Sequence, residues 1–547
     1  MTASESILRI RNLSVALPAG LDRSHAVHDL SLDVHRRQIV CVVGESGSGK
    51  SVTASAVMRL LPEKVLRITG GTIRLEGEDI AAASNARICE LRGNRMAMIF
   101  QEPLTALNPV MRIGDQIAEV MRLHRPRMTA AAIEARVVEL MGDVHLPDPA
   151  ALRRVYPHQI SGGQRQRVMI AMALALEPAL IIADEPTTAL DVTTQAQILR
   201  LFRELLTKHD SGVLMITHDF GVVADVADHV VVMRHGEVVE RGEPTQVLKA
   251  PSHPYTRSLI EAVPRFRYRP ARVNLPSPVL AVEDLTLTYR STSFLGRKRE
   301  TKALDAVSLS LSAGETLGIV GESGSGKTSL AKALLRFETP DSGRILFEGR
   351  DVAALAGGAL RGFRRHIQMV FQDPYKSLNP RRRVGQSLIE GPVQHGLSRP
   401  DAIARARELM QLVGLSADAL ERFPHEFSGG QRQRICIARA LAMKPSIIVA
   451  DEAVSALDVS VQAQVLRLFE ELQRKIGFAM IFVTHDLRVA SNICDRIAVM
   501  QRGRIVEIGQ ARAVFEAPQH GYTRELIAAV PGGVFEVAPA ALRYRPR

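Results

Sequence analysis

Two eight-residue strings could do chemistry in this chain: GESGSGKS from Gly44 to Ser51, and GESGSGKT from Gly321 to Thr328. Glycines at these spacings let the backbone turn tightly, so that its N–H groups face phosphate oxygens. A helix starting at the lysine adds the positive end of its dipole. In this reading Lys50 and Lys327 reach the β- and γ-phosphates of a nucleotide, and Ser51 and Thr328 hold Mg²⁺. The nucleotide is lined by Gly44, Glu45, Ser46, Gly47, Ser48, Gly49, Lys50, Ser51 and Val52 in one loop. In the other it is lined by Gly321, Glu322, Ser323, Gly324, Ser325, Gly326, Lys327, Thr328 and Ser329. With glycine near about 7% of residues, one chance match in a chain this long is of order a few per cent. Two near-identical matches leave little room for accident.

A second set of groups lies downstream. ALIIADE (179–185) and SIIVADE (446–452) are apolar runs ending in two carboxylates. Asp184 and Asp451 stand where a Mg²⁺-binding carboxylate belongs, and Glu185 and Glu452 are placed to polarise an attacking water.

These groups need elements to hold them. ILRIRNLSVAL and VLAVEDLTLTY open the two regions with apolar alternation, the mark of half-buried strands. QIVCVVG and TLGIVG are buried strands running directly into the loops. KSVTASAVMRLL and KTSLAKALLRF follow with helical periodicity. Strand, phosphate loop, helix is the context that gives the motif its meaning.

The arrangement occurs twice because the chain is a duplication. GESGSGK recurs at an offset of 277, FQEPLTALNP and FQDPYKSLNP at 271, and SGGQRQR, ADE, THD and the HPYTR/HGYTR pair at 267. The order is kept, and the second copy is ten residues shorter between the phosphate loop and SGGQ. The expected layout is a first domain at 1–261, a linker at 262–279, a second domain at 280–531 and a basic tail at 532–547. The linker, AVPRFRYRPARVNLPSPV, and the tail share the string RYRP, and both are expected to be extended, solvated basic segments.

The bulk numbers agree with two soluble domains. The chain has 547 residues, 46% hydrophobic and 23% charged, too long for one core. No apolar run reaches the 18 or so residues of a membrane span, and the start lacks the features of a signal peptide. The four cysteines, Cys41, Cys89, Cys436 and Cys494, show no metal-ligand spacing, as in a reducing compartment. The net charge of +12 allows nucleic acid or an anionic membrane as partner without requiring either.

ISGGQRQR (160–167) and FSGGQRQR (427–434) resemble the signature of ABC transporter ATP-binding subunits. The resemblance covers residues 6–531. It implies an α/β fold with two tandem P-loop ATPase domains, each with a mixed sheet and a helical subdomain, packed head-to-tail. It assigns His218 and His485 in THD as switch histidines beside the catalytic Glu185 and Glu452. Gln101 and Gln372 match the Q-loop and join the Mg²⁺ set with Ser51, Asp184, Thr328 and Asp451. ALD at 189–191 and 456–458 matches the D-loop. In the family, the signature loop closes on ATP held by the opposite domain. Ser161, Gly162, Gly163 and Gln164 would therefore serve Lys327 and Glu452, while Ser428, Gly429, Gly430 and Gln431 would serve Lys50 and Glu185. The chain would carry its own dimer partner.

Within the family, SLNPR, PHEFSGGQRQR, DEPTTALDV and HPYTRSLIEAVP resemble the oligopeptide, dipeptide and nickel importer branch, with fused ATPases of glutathione or dipeptide import the nearest likeness. The resemblance implies ATP hydrolysis at the cytoplasmic face of the inner membrane. It also implies two membrane-spanning permease subunits, seated on the stretches after Gln101 and Gln372, and a solute-binding protein acting through them. No Cys-rich tail follows HPYTR, so no iron–sulfur cluster is expected, nor is a nucleic-acid partner. Ile160 stands where Leu is usual, and Gly521 where Pro is usual. The alternative is a soluble tandem ABC ATPase working on ribosomes or nucleic acid; the short Pro-rich linker speaks against it.

One difference between the copies has a measurable consequence. Family members stack adenine on an aromatic before the first inner strand; Tyr289 fits, but Leu17 holds that place in the first copy. Nucleotide binding at the first site is expected to be weaker by about 0.5–1.5 kcal/mol, measured as ATP affinity in variants that leave one site intact.

Overall fold

The computed structural model describes residues 6–20, 23–62, 64–188, 190–270, 277–292, 298–455 and 457–532. The chain divides into two compact units, one built largely from residues before Pro264 and the other largely from Pro264 to Val530.

In the first unit, a six-stranded sheet runs in the order Glu237–Gly242, His229–Arg234, Ile39–Val43, Gly212–Ile216, Leu180–Asp184, Met96–Ile99. Only the edge pair of Glu237–Gly242 and His229–Arg234 is antiparallel. Ile39–Val43, Leu180–Asp184 and Gly212–Ile216 are buried at every residue. Covered on both faces, such strands need continuous rather than alternating apolar character, which IVCVV, LIIAD and GVLMI provide.

A second, four-stranded antiparallel sheet contains His25–His35, Ser6–Ala16, Arg67–Leu75 and Glu78–Asp79. Its strands alternate in burial, as Ser6–Ala16 does. One apolar cluster joins it to the parallel sheet through Leu8, Ile10, Val40, Val42, Leu180 and Leu214, with Ala54 and Val57 of the helix Lys50–Val57 between them. Helices Ile113–His124, Ala130–Asp143 and Gly162–Leu174 form the helical part.

The second unit repeats this plan. Its sheet runs Ile367–Val370, Ile447–Asp451, Ala479–Val483, Thr316–Val320, Arg496–Gln501, Arg504–Gln510, the same order read from the other edge. Its antiparallel sheet is Lys298–Ser312, Pro278–Thr292, Ser342–Phe347 and Arg350–Asp351.

The structure corrects one expectation. The start of the segment read as a solvated linker is packed down. Phe266 meets the ring of Phe515 edge-on at 5.5 Å, and Tyr268 stacks on it at 6.4 Å. Arg269, 18% exposed, pairs with Glu470 at 3.1 Å and approaches Asp495 at 3.9 Å. The basic composition concealed two aromatics with an apolar partner and an arginine with acidic ones. Residues 271–276 of the linker, the tail beyond 532, and Ala189 and Ala456 of the ALD strings lie outside the described residues.

Gly521 is the first residue of helix Gly521–Ala528, where the first copy has Pro254. A Cβ added there would meet nothing closer than Arg524 Nη2 at 4.0 Å. Proline suits this helical position. Gly521→Pro should stabilise the second unit by about 0.4–1 kcal/mol through the unfolded chain, checked by thermal unfolding.

Candidate functional site

Four adjacent parallel strands deliver their C-terminal ends to one edge of each unit. In the first unit Ile39–Val43 leads into the phosphate loop, Gly212–Ile216 into Thr217 and His218, Leu180–Asp184 into Glu185, and Met96–Ile99 into Gln101. Residues far apart in sequence become neighbours because the strands are in register, Val42 beside Ile216 and Ile216 beside Asp184. The carboxyl ends of parallel strands are where α/β sheets bind ligands.

The phosphate loop is held by its own lysine. Lys50 Nζ donates to the carbonyls of Gly44 and Glu45, both at 2.8 Å. Lys327 does the same with Gly321 and Glu322, again at 2.8 Å. Gly49 and Gly326 precede the helices with φ of 106°, and neither helix start has a side-chain cap. The first N–H groups of each helix are thus left for a ligand. Burial lowers the pKa of Lys327, against the opposing charge of Glu452.

The carboxylates divide into two environments. Ser51 Oγ donates to Asp184 at 3.1 Å, and Thr328 Oγ1 to Asp451 at 3.3 Å. Burial raises both aspartates, with the adjacent glutamate adding to it, and Asp451 reaches about 6. A buried carboxylate beside a hydroxyl is an oxygen pair suited to a hard cation such as Mg²⁺, completed by nucleotide phosphates. Burial also acts on Glu185 and Glu452, but here it is outweighed. His218 Nδ1 lies 3.2 Å from Glu185, Gln101 Nε2 donates to it at 2.8 Å, and Thr188 Oγ1 at 2.9 Å. His485 lies 3.5 Å from Glu452 and Gln372 donates to it at 2.8 Å. The histidine contacts bring both glutamates below their ordinary pKa, keeping them basic acceptors. Glu452 in turn raises His485.

Both glutamates sit at φ of 47°, left-handed backbone that non-glycine residues seldom adopt. Each donates its N–H across to the neighbouring strand, Glu185 to Ile216 and Glu452 to Val483, both at 2.9 Å. The kink comes directly after the aspartate, giving two consecutive carboxylates different surroundings. The residues flanking the histidines are braces. Thr217 accepts the N–H of Asp219 at 3.1 Å, and Asp219 accepts that of Gly221 at 2.7 Å, capping the next helix. Thr484 and Asp486 repeat the brace at 3.0 and 2.9 Å.

The signature loops each open on a capped helix. Ser161 caps its helix by accepting the N–H of Gln164 at 3.2 Å, while the Gln164 side chain accepts the N–H of Ser161 at 3.0 Å. Ser428 and Gln431 form the same reciprocal pair at 3.3 and 3.0 Å. The cap holds Gly162, Gly163, Gly429 and Gly430 at the helix start. Gly163 and Gly430 are also sterically required: an added Cβ would lie 2.5 Å from Thr194 Cγ2 and 2.4 Å from Val461 Cγ1. Tyr289 lies on strand Pro278–Thr292 opposite Thr301, with 38% of its surface exposed. Leu17 follows strand Ser6–Ala16 and is half-buried. The sequence reading missed Arg23, whose guanidinium donates to the Gly47 carbonyl at 2.5 Å. No motif marks it, because it lies in the loop where the two copies differ in length.

A phosphate loop with a buried strand-end Asp–Glu pair, a glutamine and a histidine on the glutamate, and a serine-capped signature helix defines the ABC ATPases, and this chain belongs to that family. The pattern described as "ABC transporter" matches residues 27–188 and 304–455. A second, "Oligopeptide/dipeptide transporter, C-terminal region", matches 239–285 and 506–535. The chain is 47% identical to the glutathione import ATP-binding protein GsiA of Shigella boydii, over 96% of this chain and 90% of that protein. It is 48% identical to GsiA of Escherichia coli O157:H7 over the same shares, and 47% identical to GsiA of Salmonella typhimurium over 100% and 92%. Among solved structures, CbiO1 of Clostridium perfringens, part of an ABC transporter complex, is 29% identical over 44% of this chain and 92% of its own, with a TM-score of 0.40.

The loop glycines should fail in graded fashion. A Cβ at Gly44 would lie 2.2 Å from the Met233 carbonyl, and one at Gly49 2.5 Å from that of Ala26, so either alanine should abolish ATP binding at the first site. Gly47, at φ of 74° with nothing within 4 Å, should lose only the roughly 1–2 kcal/mol of a left-handed alanine. Equilibrium ATP binding with the second site silenced by Lys327→Ala checks the order.

Proposed function

We propose that this chain hydrolyses ATP to power import of peptide-class solutes, such as glutathione, dipeptides or oligopeptides, through a pair of membrane-spanning permease subunits. The observation that carries the reading is the near full-length likeness to glutathione import ATP-binding proteins, together with the transporter C-terminal region at the end of both copies. No helix among the described residues is long and apolar enough to cross a membrane, so solute passage falls to partners. Each unit exposes apolar side chains around its glutamine loop: Phe100, Leu104 and Val110 in the first, Tyr375 in the second. Phe337, Phe371, Leu388, Pro392 and Met443 line a cavity of about 390 Å³ in the second unit. These surfaces support docking of permease helices. A solute-binding protein would act through the permease, and the chain would lie on the cytoplasmic face of the inner membrane.

The chemistry follows from the site. Lys50 and Lys327 neutralise the β- and γ-phosphates, and the uncapped helix starts bind their oxygens. Mg²⁺, held by Ser51 and Asp184 or Thr328 and Asp451 with Gln101 or Gln372, would spread charge between the phosphates. Glu185 and Glu452, kept ionised, orient and polarise the attacking water, and His218 and His485 hold those carboxylates in place. We further infer that turnover at each copy depends on the other copy's signature loop, a reading that rests on the sequence resemblance.

Glu452→Gln should retain ATP and stop steady turnover, and Lys50→Ala should weaken nucleotide binding at the first site; transport unaffected by both would sink the proposal. Purification from detergent-solubilised membranes should bring down two multi-span permeases, with ATPase activity raised by a peptide-loaded binding protein. Recovery of ribosomal proteins or RNA without a permease would instead favour the ribosome-directed alternative.

A further inference from the structure

HPYTR at 253–257 and HGYTR at 520–524 close the two copies, and the chemistry described so far uses neither. The structure gives most of their residues a task. Glu240, on strand Glu237–Gly242, accepts the N–H of Ser252 at 2.7 Å and of His253 at 3.1 Å. Glu507 accepts those of Gln519 and His520 at 2.9 and 3.1 Å. The turn is thereby fixed to the sheet edge. His253 Nδ1 then accepts the N–H of Tyr255 at 3.1 Å, capping helix Pro254–Ala262, and His520 does the same for Tyr522 at 3.2 Å. The anchored helix points its tyrosine inward, leaving Tyr255 7% and Tyr522 5% exposed.

Each tyrosine reaches its own phosphate loop. The N–H of Glu45 donates to the Tyr255 phenol oxygen at 3.2 Å, and that of Glu322 to Tyr522 at 3.0 Å. These N–H groups belong to the peptide units Gly44–Glu45 and Gly321–Glu322. The carbonyls of the same two peptides, on Gly44 and Gly321, receive the lysine ammonium at 2.8 Å. One peptide plane is thus pinned at both ends, by tyrosine on its N–H and by the phosphate-binding lysine on its C=O. The surroundings of the two rings differ. Arg234 lies over Tyr255 at 4.8 Å, whereas Gln501 occupies the matching position in the second copy. What the copies share is the hydroxyl on the loop N–H. Burial raises both phenols to about 12, so they stay protonated at working pH.

We propose that Tyr255 and Tyr522 are positioning residues of the two nucleotide sites, locking the peptide plane on which Lys50 or Lys327 is held and tying the C-terminal motif to ATP affinity. Packing alone does not require the hydroxyl, since phenylalanine would fill the same space. Removing it leaves a loop N–H without its acceptor and one end of the peptide free to turn. The inference rests on the reading that these loops hold ATP, which ATP binding by the unsubstituted chain, lost in the Lys50→Ala, Lys327→Ala double variant, verifies separately.

The test uses the full-length chain. Tyr255→Phe is made with the second site silenced by Lys327→Ala, and Tyr522→Phe with the first silenced by Lys50→Ala. Radiolabelled ATP binding and the melting temperature are measured against each single-site parent. Each phenylalanine variant should raise the Kd for ATP roughly 5- to 20-fold, with the melting temperature within a few degrees of its parent. His253→Ala, which loosens the cap that aims Tyr255, should raise Kd by a smaller factor. An unchanged Kd in Tyr255→Phe and Tyr522→Phe, whether or not the melting temperature falls, would make the tyrosines packing residues and overturn the proposal.

Discussion

Two consecutive carboxylates at the end of one buried strand set the terms for this protein. Asp184 and Glu185, like Asp451 and Glu452, repel each other and are both taken partly out of water. The structure separates them by a left-handed kink at the glutamate. The aspartate accepts from a hydroxyl and is driven upward in pKa by burial and by the neighbouring glutamate. The glutamate is turned to a histidine and a glutamine and is driven downward. Two carboxylates of opposite pKa direction thus come from one Asp-Glu pair through differences in surroundings, as the proposed division into cation binding and water activation requires.

The rest of the fold meets this requirement. The aspartate and glutamate can be served together only if the strands carrying the lysine loop, the histidine and the glutamine end beside them. Parallel pairing in the order observed does so. Strands buried on both faces hold that edge rigid, and the antiparallel sheet and the helix Lys50–Val57 seal one side. The two units reach the same solution independently: φ at the glutamates, the lysine distances and the glutamine contact agree between them. They differ in one contact to the glutamate. Thr188 bonds the Glu185 carboxylate, whereas Ser455 bonds the backbone carbonyl of Glu452.

Much of the site was legible in the residues. Phosphate loops, strand-end carboxylates and signature strings are local, and their spacing is dictated by backbone geometry over a few residues. The duplication was legible because both copies obey the same rules. The capping role of Gln164 and Gln431 was open to the same reading, since serine with glutamine three residues on is a capping box. The packing of Phe266, Tyr268 and Arg269 was hidden by composition. A Pro- and Arg-rich string looks solvated until Phe515, Glu470 and Asp495 are known to lie beneath it.

The sequence by itself determined the kinds of group this protein has and the local turns that display them: a lysine after glycines, carboxylates after apolar runs, serine at a helix start. These follow from short-range sterics and hydrogen bonding. Only the tertiary structure decided which groups meet. Tyr255 lies 210 residues from Glu45, and His218 is brought to Glu185 by the parallel pairing of two successive strands across the helix Val192–Lys208. The left-handed glutamates were likewise beyond the sequence, because no local preference favours that conformation. Contacts with the neighbouring strand, the histidine and the glutamine hold it, and those exist only once the sheet has formed.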